Sequence, residues 1–211
     1  MAKRNTRIYL VRHGETEFNR LGVFRGRFDV DLNEVGLKQA RETGDALVGE
    51  GIDLILTSPL KRAAVTAQTI AVALGIGYEV DEAFNNINLG SWQGVPKKKV
   101  MEDYPDEWRR WTTEPEHLVV PGGESVEDVR ERASARLEDI VSARDGAIAI
   151  VTHRSVIKVL AAFMLNVPPP YFWKFYTDNA AYCVFEHAGG AFTLISWNRN
   201  SHLSQKVKEE F

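Results

Sequence analysis

Short, almost wholly apolar runs alternate along this chain with longer stretches in which apolar residues return every three or four positions. Ile8 to Val11, Leu54 to Leu56 and Ala147 to Val151 are the short runs. Such continuous runs predict strands buried on both faces of a parallel sheet. Each stops abruptly on polar residues: Arg12-His13-Gly14, Thr57-Ser58-Pro59 and Thr152-His153-Arg154.

The longer stretches predict helices. Asn33 reads as an N-cap, and Leu37, Ala40, Gly44, Leu47 and Val48 follow at helical spacing until Gly49 and Gly51. Pro59 marks the next helix start, with Ala63, Ala64, Ala67, Ile70, Ala71 and Leu74 before Gly75. Ser125, with Asp128 three residues on, reads as a capping box, and Val126, Val129, Ala133, Leu137, Ile140 and Val141 mark the face of the helix it opens. A further helix covers Val156 to Leu165, before Pro168-Pro-Pro170.

Tyr78 to Val80 predicts a short strand, and Gly14 to Asp31 a loop crossing the top of the sheet. Phe84 to Gly94 has no period, and Val95 to Trp111 predicts short helices broken at Pro105. Ala181 to Glu186 and Phe192 to Trp197 predict a hairpin around His187-Ala-Gly-Gly190. The alternation implies an α/β fold: a three-layer α/β/α sandwich with a mostly parallel central sheet and a C-terminal antiparallel hairpin. The length suits one domain, residues 1–211.

Composition narrows the functions. Lys plus Arg number 26 against 29 Asp plus Glu, a formal charge of −3, so no nucleic-acid partner is expected. Lys97-Lys98-Lys99 reads as a solvated helix face. Met1-Ala-Lys-Arg-Asn-Thr leads into no signal-type apolar segment, and no membrane span is expected. The single cysteine, Cys183, excludes an intramolecular disulfide and fits a reducing compartment, so a cytoplasmic location is expected. The exposed edge of the hairpin would suit a homodimer.

Open α/β sheets place their ligands at the carboxyl ends of the strands. Three strand ends bring Arg12 and His13, Arg62 in the following helix turn, and His153 to one edge. Two guanidiniums grip a phosphoryl group through paired N–H donors, and an imidazole attacks phosphorus or donates to an equatorial oxygen. Other phosphate chemistries lack their motifs. There is no G-x-x-x-x-G-K-[ST] loop, Cys183 has no arginine six residues later, and Asp29-Val-Asp31 follows Arg27-Phe28 instead of a buried strand.

The run Leu10-Val-Arg-His-Gly-Glu-Thr-Glu-Phe-Asn19 resembles the signature of the histidine phosphatase superfamily, also called phosphoglycerate mutase-like. In the same order follow Gly26, Asp31-Leu32 with Gly36 and Gln39-Ala40, Thr57-Ser58-Pro59-Leu60 with Arg62-Ala63 and Thr66-Ala67, Leu89-Gly90 with Trp92 and Gly94, Pro121-Gly-Gly-Glu-Ser125, and Val151-Thr-His153. The resemblance implies a phosphomonoesterase with His13 as the nucleophile that forms a phosphohistidine. Arg12 and Arg62 would neutralise the phosphoryl oxygens, Asn19 would add a hydrogen bond, and His153, protonated, would stabilise the transition state. It implies a small phosphorylated metabolite as substrate, and neither a metal nor another cofactor. Gly26 falls beside the substrate. His117, His187 and His202 are read as structural.

The chain departs from the family at one chemically decisive place. The family's L-x-E-I-x-x-G segment reads Phe84-Asn-Asn-Ile-Asn-Leu-Gly90, with Asn86 at the position of the glutamate that protonates the leaving group. An amide gives up no proton at neutral pH. Asp81, Glu82 or Glu15 would then have to serve; otherwise the substrate has a good leaving group, the phosphatase is slow, or Asn86 is a disabling substitution. Arg25 stands where glutamine usually precedes the glycine, and Arg154 where glycine often follows the histidine. Both suggest a second anionic group on the substrate, or else side chains paired with carboxylates. Phe24, Trp92, Trp108 and Trp111 are candidates for the substrate mouth. A phosphoglycerate mutase-type transfer and a weakly catalytic phospho-ligand binding protein are the alternative functions.

Overall fold

A computed structural model describes residues 5–206, so the charged start, Met1 to Arg4, lies outside them. Among the described residues six strands form: β1 (Asn5–Arg12), β2 (Ile52–Thr57), β3 (Glu79–Val80), β4 (Gly146–Thr152), β5 (Tyr182–Ala188) and β6 (Ala191–Arg199). They build a single sheet in the order β3-β2-β4-β1-β5-β6. The first four in that order run parallel, and β5 and β6 run antiparallel to their neighbours.

Seven α-helices among the described residues accompany the sheet: α1 (Glu17–Arg20), α2 (Glu34–Leu47), α3 (Lys61–Leu74), α4 (Lys97–Asp103), α5 (Pro105–Thr113), α6 (Val126–Ala143) and α7 (Arg154–Met164). The alternation of side chains along each strand sorts the core into two layers. Ile8, Leu10, Leu56, Ile148 and Ile150 pack against α6 and α7. Tyr9, Val11, Ile55, Ala149 and Val151 pack against α2 and α3. The result is the three-layer sandwich, and the continuous apolar runs reflect burial on both faces.

Local chemistry explains the boundaries. The Asn33 side chain accepts from Gly36 N at 2.8 Å and starts α2. Ser125 and Asp128 form their reciprocal box, 3.0 Å from Asp128 N to Ser125 Oγ and 2.8 Å from Ser125 N to Asp128 Oδ2. Pro105 occupies the first turn of α5, where its missing N–H costs nothing.

Four expectations shift. The stretch after Gly14 holds α1, too short to show a hydrophobic period; the Asn19 side chain stabilises it by accepting from Thr16 N at 2.9 Å. Helix α3 begins at Lys61, two residues past Pro59, because Asp29 Oδ1 takes the Lys61 N–H at 2.8 Å. Helix α7 begins at Arg154, directly after the strand-end residue His153, and not at Val156. The hairpin turn is Gly189-Gly190 alone; His187 stays in β5 and lies on Phe192 at 4.7 Å between ring centres.

One close approach fixes the loop after β1. A Cβ on Gly36 would strike the Glu15 carbonyl, and a Cβ on Gly14 would come 2.5 Å from the Gly36 carbonyl oxygen. Only two glycines let the first turn of α2 press directly on the backbone next to His13.

Candidate active site

The register places three strand ends level, with Arg12 opposite Thr152 and Thr57 opposite Val151. Backbone bonds extend that alignment past the strands. His13 N donates to Thr152 O at 3.0 Å, Ser58 N donates to Val151 O at 3.1 Å, and Ala180 N donates to His13 O at 3.1 Å. His13 is therefore held from both neighbouring strands. Gly14 N donates to Thr66 Oγ1 at 3.1 Å, which ties the following turn to α3.

The two imidazoles converge, their ring centres 5.1 Å apart. His13 Nδ1 lies 2.6 Å from its neighbour's carbonyl, Gly14 O. A carbonyl only accepts, so Nδ1 carries the proton and Nε2 is left with its lone pair. His153 Nε2 shares a hydrogen bond of 2.7 Å with Ser58 Oγ. Burial, then the charge of Arg62, pushes both histidines well below the usual imidazole range; Arg12 and Arg25 push the same way. These shifts favour the neutral form of both rings, so the protonated His153 that the resemblance implies is disfavoured by burial and by the surrounding guanidiniums until their charge is offset.

A cavity of about 320 Å³ opens over these residues. It is lined by Arg12, His13, Arg25, Gly26, Asn86, His153 and Arg154, seven of the nine residues expected in the site. The other two, Arg62 and Asn19, are buried and do not line it. Arg62 donates to Gly26 O at 2.9 Å and to Phe28 O at 3.0 Å, holding the loop that carries Arg25. Burial and the nearby Arg25 push Arg62 down to about 9, which leaves it cationic at neutral pH. Asn19 has its oxygen committed to Thr16, while its buried Nδ2 has no partner.

Asn86 is fixed as an amide. Its Nδ2 donates to Gly26 O at 2.7 Å and its Oδ1 accepts from Ser155 Oγ at 2.6 Å. The carboxylates proposed to replace a glutamate here are engaged elsewhere. Asp81 pairs with Arg136 at 2.6 Å, Glu82 accepts from Asn85 at 3.0 Å, and buried Glu15 accepts from Asn33 at 2.7 Å. Among the described residues, no Asp or Glu lines the cavity.

The mouth is apolar. Phe24, Trp108 and Trp111 line it as expected, joined by Phe172 and Trp173. Trp92 does not; it is buried behind them, 5.3 Å from Phe24 and 6.1 Å from Trp111 between ring centres. The lysine run divides: Lys98 and Lys99 are solvated and pair with Glu102 and Asp103, whereas Lys97 reaches the cavity. Arg154 lies over the Tyr176 ring at 5.4 Å. Ser58 stands in the Thr57-Ser58-Pro59 strand end and Ser155 just beyond Thr152-His153-Arg154, but nothing local marks them as partners of His153 and Asn86.

A sequence model of the histidine phosphatase superfamily (branch 1) matches residues 8–200. The chain belongs to the histidine phosphatase superfamily. Phosphoserine phosphatase 1 of Hydrogenobacter thermophilus is 34% identical over 200 residues, covering 94% of this chain and 95% of that protein. Among solved structures, Bacillus stearothermophilus YhfR superposes with a TM-score of 0.89 at 30% identity, covering 94% of this chain and 100% of that one. A mycobacterial glucosyl-3-phosphoglycerate phosphatase in complex with VO3 gives a TM-score of 0.86 at 27% identity, covering 92% and 99%. The chain thus shares its fold with relatives over nearly its whole length, while its cavity carries Asn86 and an aromatic mouth.

Proposed function

We propose that this chain is a phosphomonoesterase that hydrolyses a small phosphorylated metabolite through a phosphohistidine on His13, without a metal ion. The observation that carries this reading is the fixed tautomer of His13: Nδ1 is bonded to Gly14 O, and the ring is held neutral. A neutral imidazole with a free Nε2 lone pair is the form that attacks phosphorus. The family's phosphatases support the same chemistry, and the relatives above are named for phosphoserine and glucosyl-3-phosphoglycerate.

Arg12 lies next to the nucleophile on the cavity wall, and buried Arg62 acts on it through its charge. Their fixed positive charge meets the phosphoryl oxygens where a metal ion otherwise would. Asn19 Nδ2 supplies a further donor. A bound phosphoryl dianion offsets the guanidinium charges that keep His153 neutral, so His153 takes up its proton with substrate and then donates to the phosphoryl group. Water hydrolyses the phosphohistidine: the P–N electrons return to Nε2 and inorganic phosphate departs.

The test is release of inorganic phosphate from a panel of phosphomonoesters, with acid-stable and acid-labile phosphoprotein assayed after quenching. His13→Ala is expected to lower kcat by at least about three powers of ten and to abolish the acid-labile adduct, as for loss of a covalent nucleophile. Turnover that survives in His13→Ala overturns the reading.

A further inference from the structure

The cavity combines two features that the phosphatase reading alone does not require. The first is the missing proton donor: Asn86 is tied as an amide between Ser155 and Gly26, and no Asp or Glu among the described residues lines the cavity. The second is the mouth, where Phe24, Ile87, Leu89, Trp108, Trp111 and Trp173 form a mostly apolar wall. Trp111 sits edge-on to Trp173 at 5.7 Å and to Phe24 at 5.8 Å, so the wall is a packed aromatic cluster. It is anchored below. Trp173 Nε1 donates to Trp111 O at 2.6 Å, and the Lys158 ammonium lies 4.0 Å from the Trp173 ring centre.

We propose that the site is specific for phosphate esters of apolar aromatic alcohols, whose ring packs on the Trp108, Trp111 and Trp173 wall and whose oxygen leaves as a phenolate. This rests on the phosphohistidine reading and narrows its substrate class. An alkyl alcohol leaves poorly as an alkoxide, and general acid catalysis commonly supplies about two to four powers of ten for such groups. A phenolate spreads its charge into the ring and needs little of that help. Both features therefore select the same ester. A small hydroxy acid would leave the aromatic wall unfilled and would lack its proton donor.

The step balances without an acid. His13 Nε2 forms the P–N bond, the P–O bond breaks with its electron pair going to the phenolic oxygen, and the phenolate is protonated by water on release. Arg25, Lys97 and Arg154 on the cavity wall meet the developing negative charge.

Five probes separate the two features. 2-Naphthyl phosphate has the ring and the stabilised leaving group. 2-(2-Naphthyl)ethyl phosphate has the ring alone, acetyl phosphate the leaving group alone, and phosphoserine and 3-phosphoglycerate have neither. The expected kcat/KM for 2-naphthyl phosphate exceeds every other probe by about tenfold or more, within the range that acid catalysis and apolar burial each supply. Asn86→Glu is expected to raise the naphthylethyl and phosphoserine rates about tenfold or more relative to the naphthyl rate. Trp108→Ala, at a partly buried helical position, is expected to raise KM for the naphthyl esters about tenfold relative to that for acetyl phosphate. Phosphoserine or 3-phosphoglycerate turned over as well as 2-naphthyl phosphate overturns the proposal and leaves the phosphatase reading standing. Equal rates for the two naphthyl esters overturn it as well. No turnover of any probe, with no phosphohistidine trapped, overturns both.

Discussion

His13 and His153 owe their chemistry to what surrounds them more than to what they are. An exposed imidazole titrates near pH 6.5, but here burial and the Arg62 guanidinium hold both well below that. The unfolded chain therefore binds protons below about pH 6.5 that the native state refuses, so stability rises with pH through that window. Each histidine contributes a slope of up to about 1.4 kcal/mol per pH unit between its unfolded and native values. Urea unfolding from pH 7 down to pH 5 is expected to show this loss, and His153→Asn to reduce the slope by one proton. A slope that His153→Asn leaves unchanged would contradict the placement of a neutral, buried ring. The local sequence marked both histidines because each ends an apolar run. It could not report their protonation, which depends on Arg62 and Arg25 from other elements.

At the scale of elements, the Asn86 turn is held by α6 as well as by its own residues. Arg132 on α6 donates to Ala83 O at 2.6 Å, Asn85 O at 2.8 Å and Asn86 O at 3.2 Å, and pairs with Glu124 at 3.0 Å. Replacing Arg132 with Met removes these charge-assisted bonds, and of the three carbonyls only that of Asn86 keeps another side-chain donor, Arg27 Nε at 3.1 Å. The expected cost is about 2–3 kcal/mol in chemical denaturation. An unchanged unfolding midpoint in Arg132→Met would contradict this role for α6. The start of α6 was legible, since Ser125 and Asp128 act within one helical turn. The bond between α6 and the 83–86 turn was not, because no periodicity connects residues that far apart.

Across the whole molecule, charge is distributed unevenly. The net charge is −3, yet the cavity gathers Arg12, Arg25, Lys97 and Arg154 with no carboxylate among its described lining residues. A dianionic ester is drawn toward such a mouth from beyond contact distance, and salt weakens that attraction, since the screening length falls from about 10 Å at 0.1 M to about 3 Å at 1 M. KM for a phosphomonoester is expected to rise several-fold between 0.05 and 0.5 M NaCl, roughly in line with that screening, while kcat changes little. Salt-independent KM would mean that these cations are neutralised by neighbours outside the cavity.

The sequence by itself determined the layers and the strand-end chemistry: buried strands announce themselves as apolar runs, helices as a period, and Arg12, His13 and His153 as abrupt polar ends. These signals arise between covalent near-neighbours. Only the tertiary structure decided what the site lacks and what encloses it. His153 meets Ser58 across 95 residues of chain and Ser155 meets Asn86 across 69, and Trp173 reaches Trp111 across 62. A side chain becomes a cavity wall, a pKa perturbation or a locked amide only when folding brings such distant partners within a few ångströms and excludes water around them.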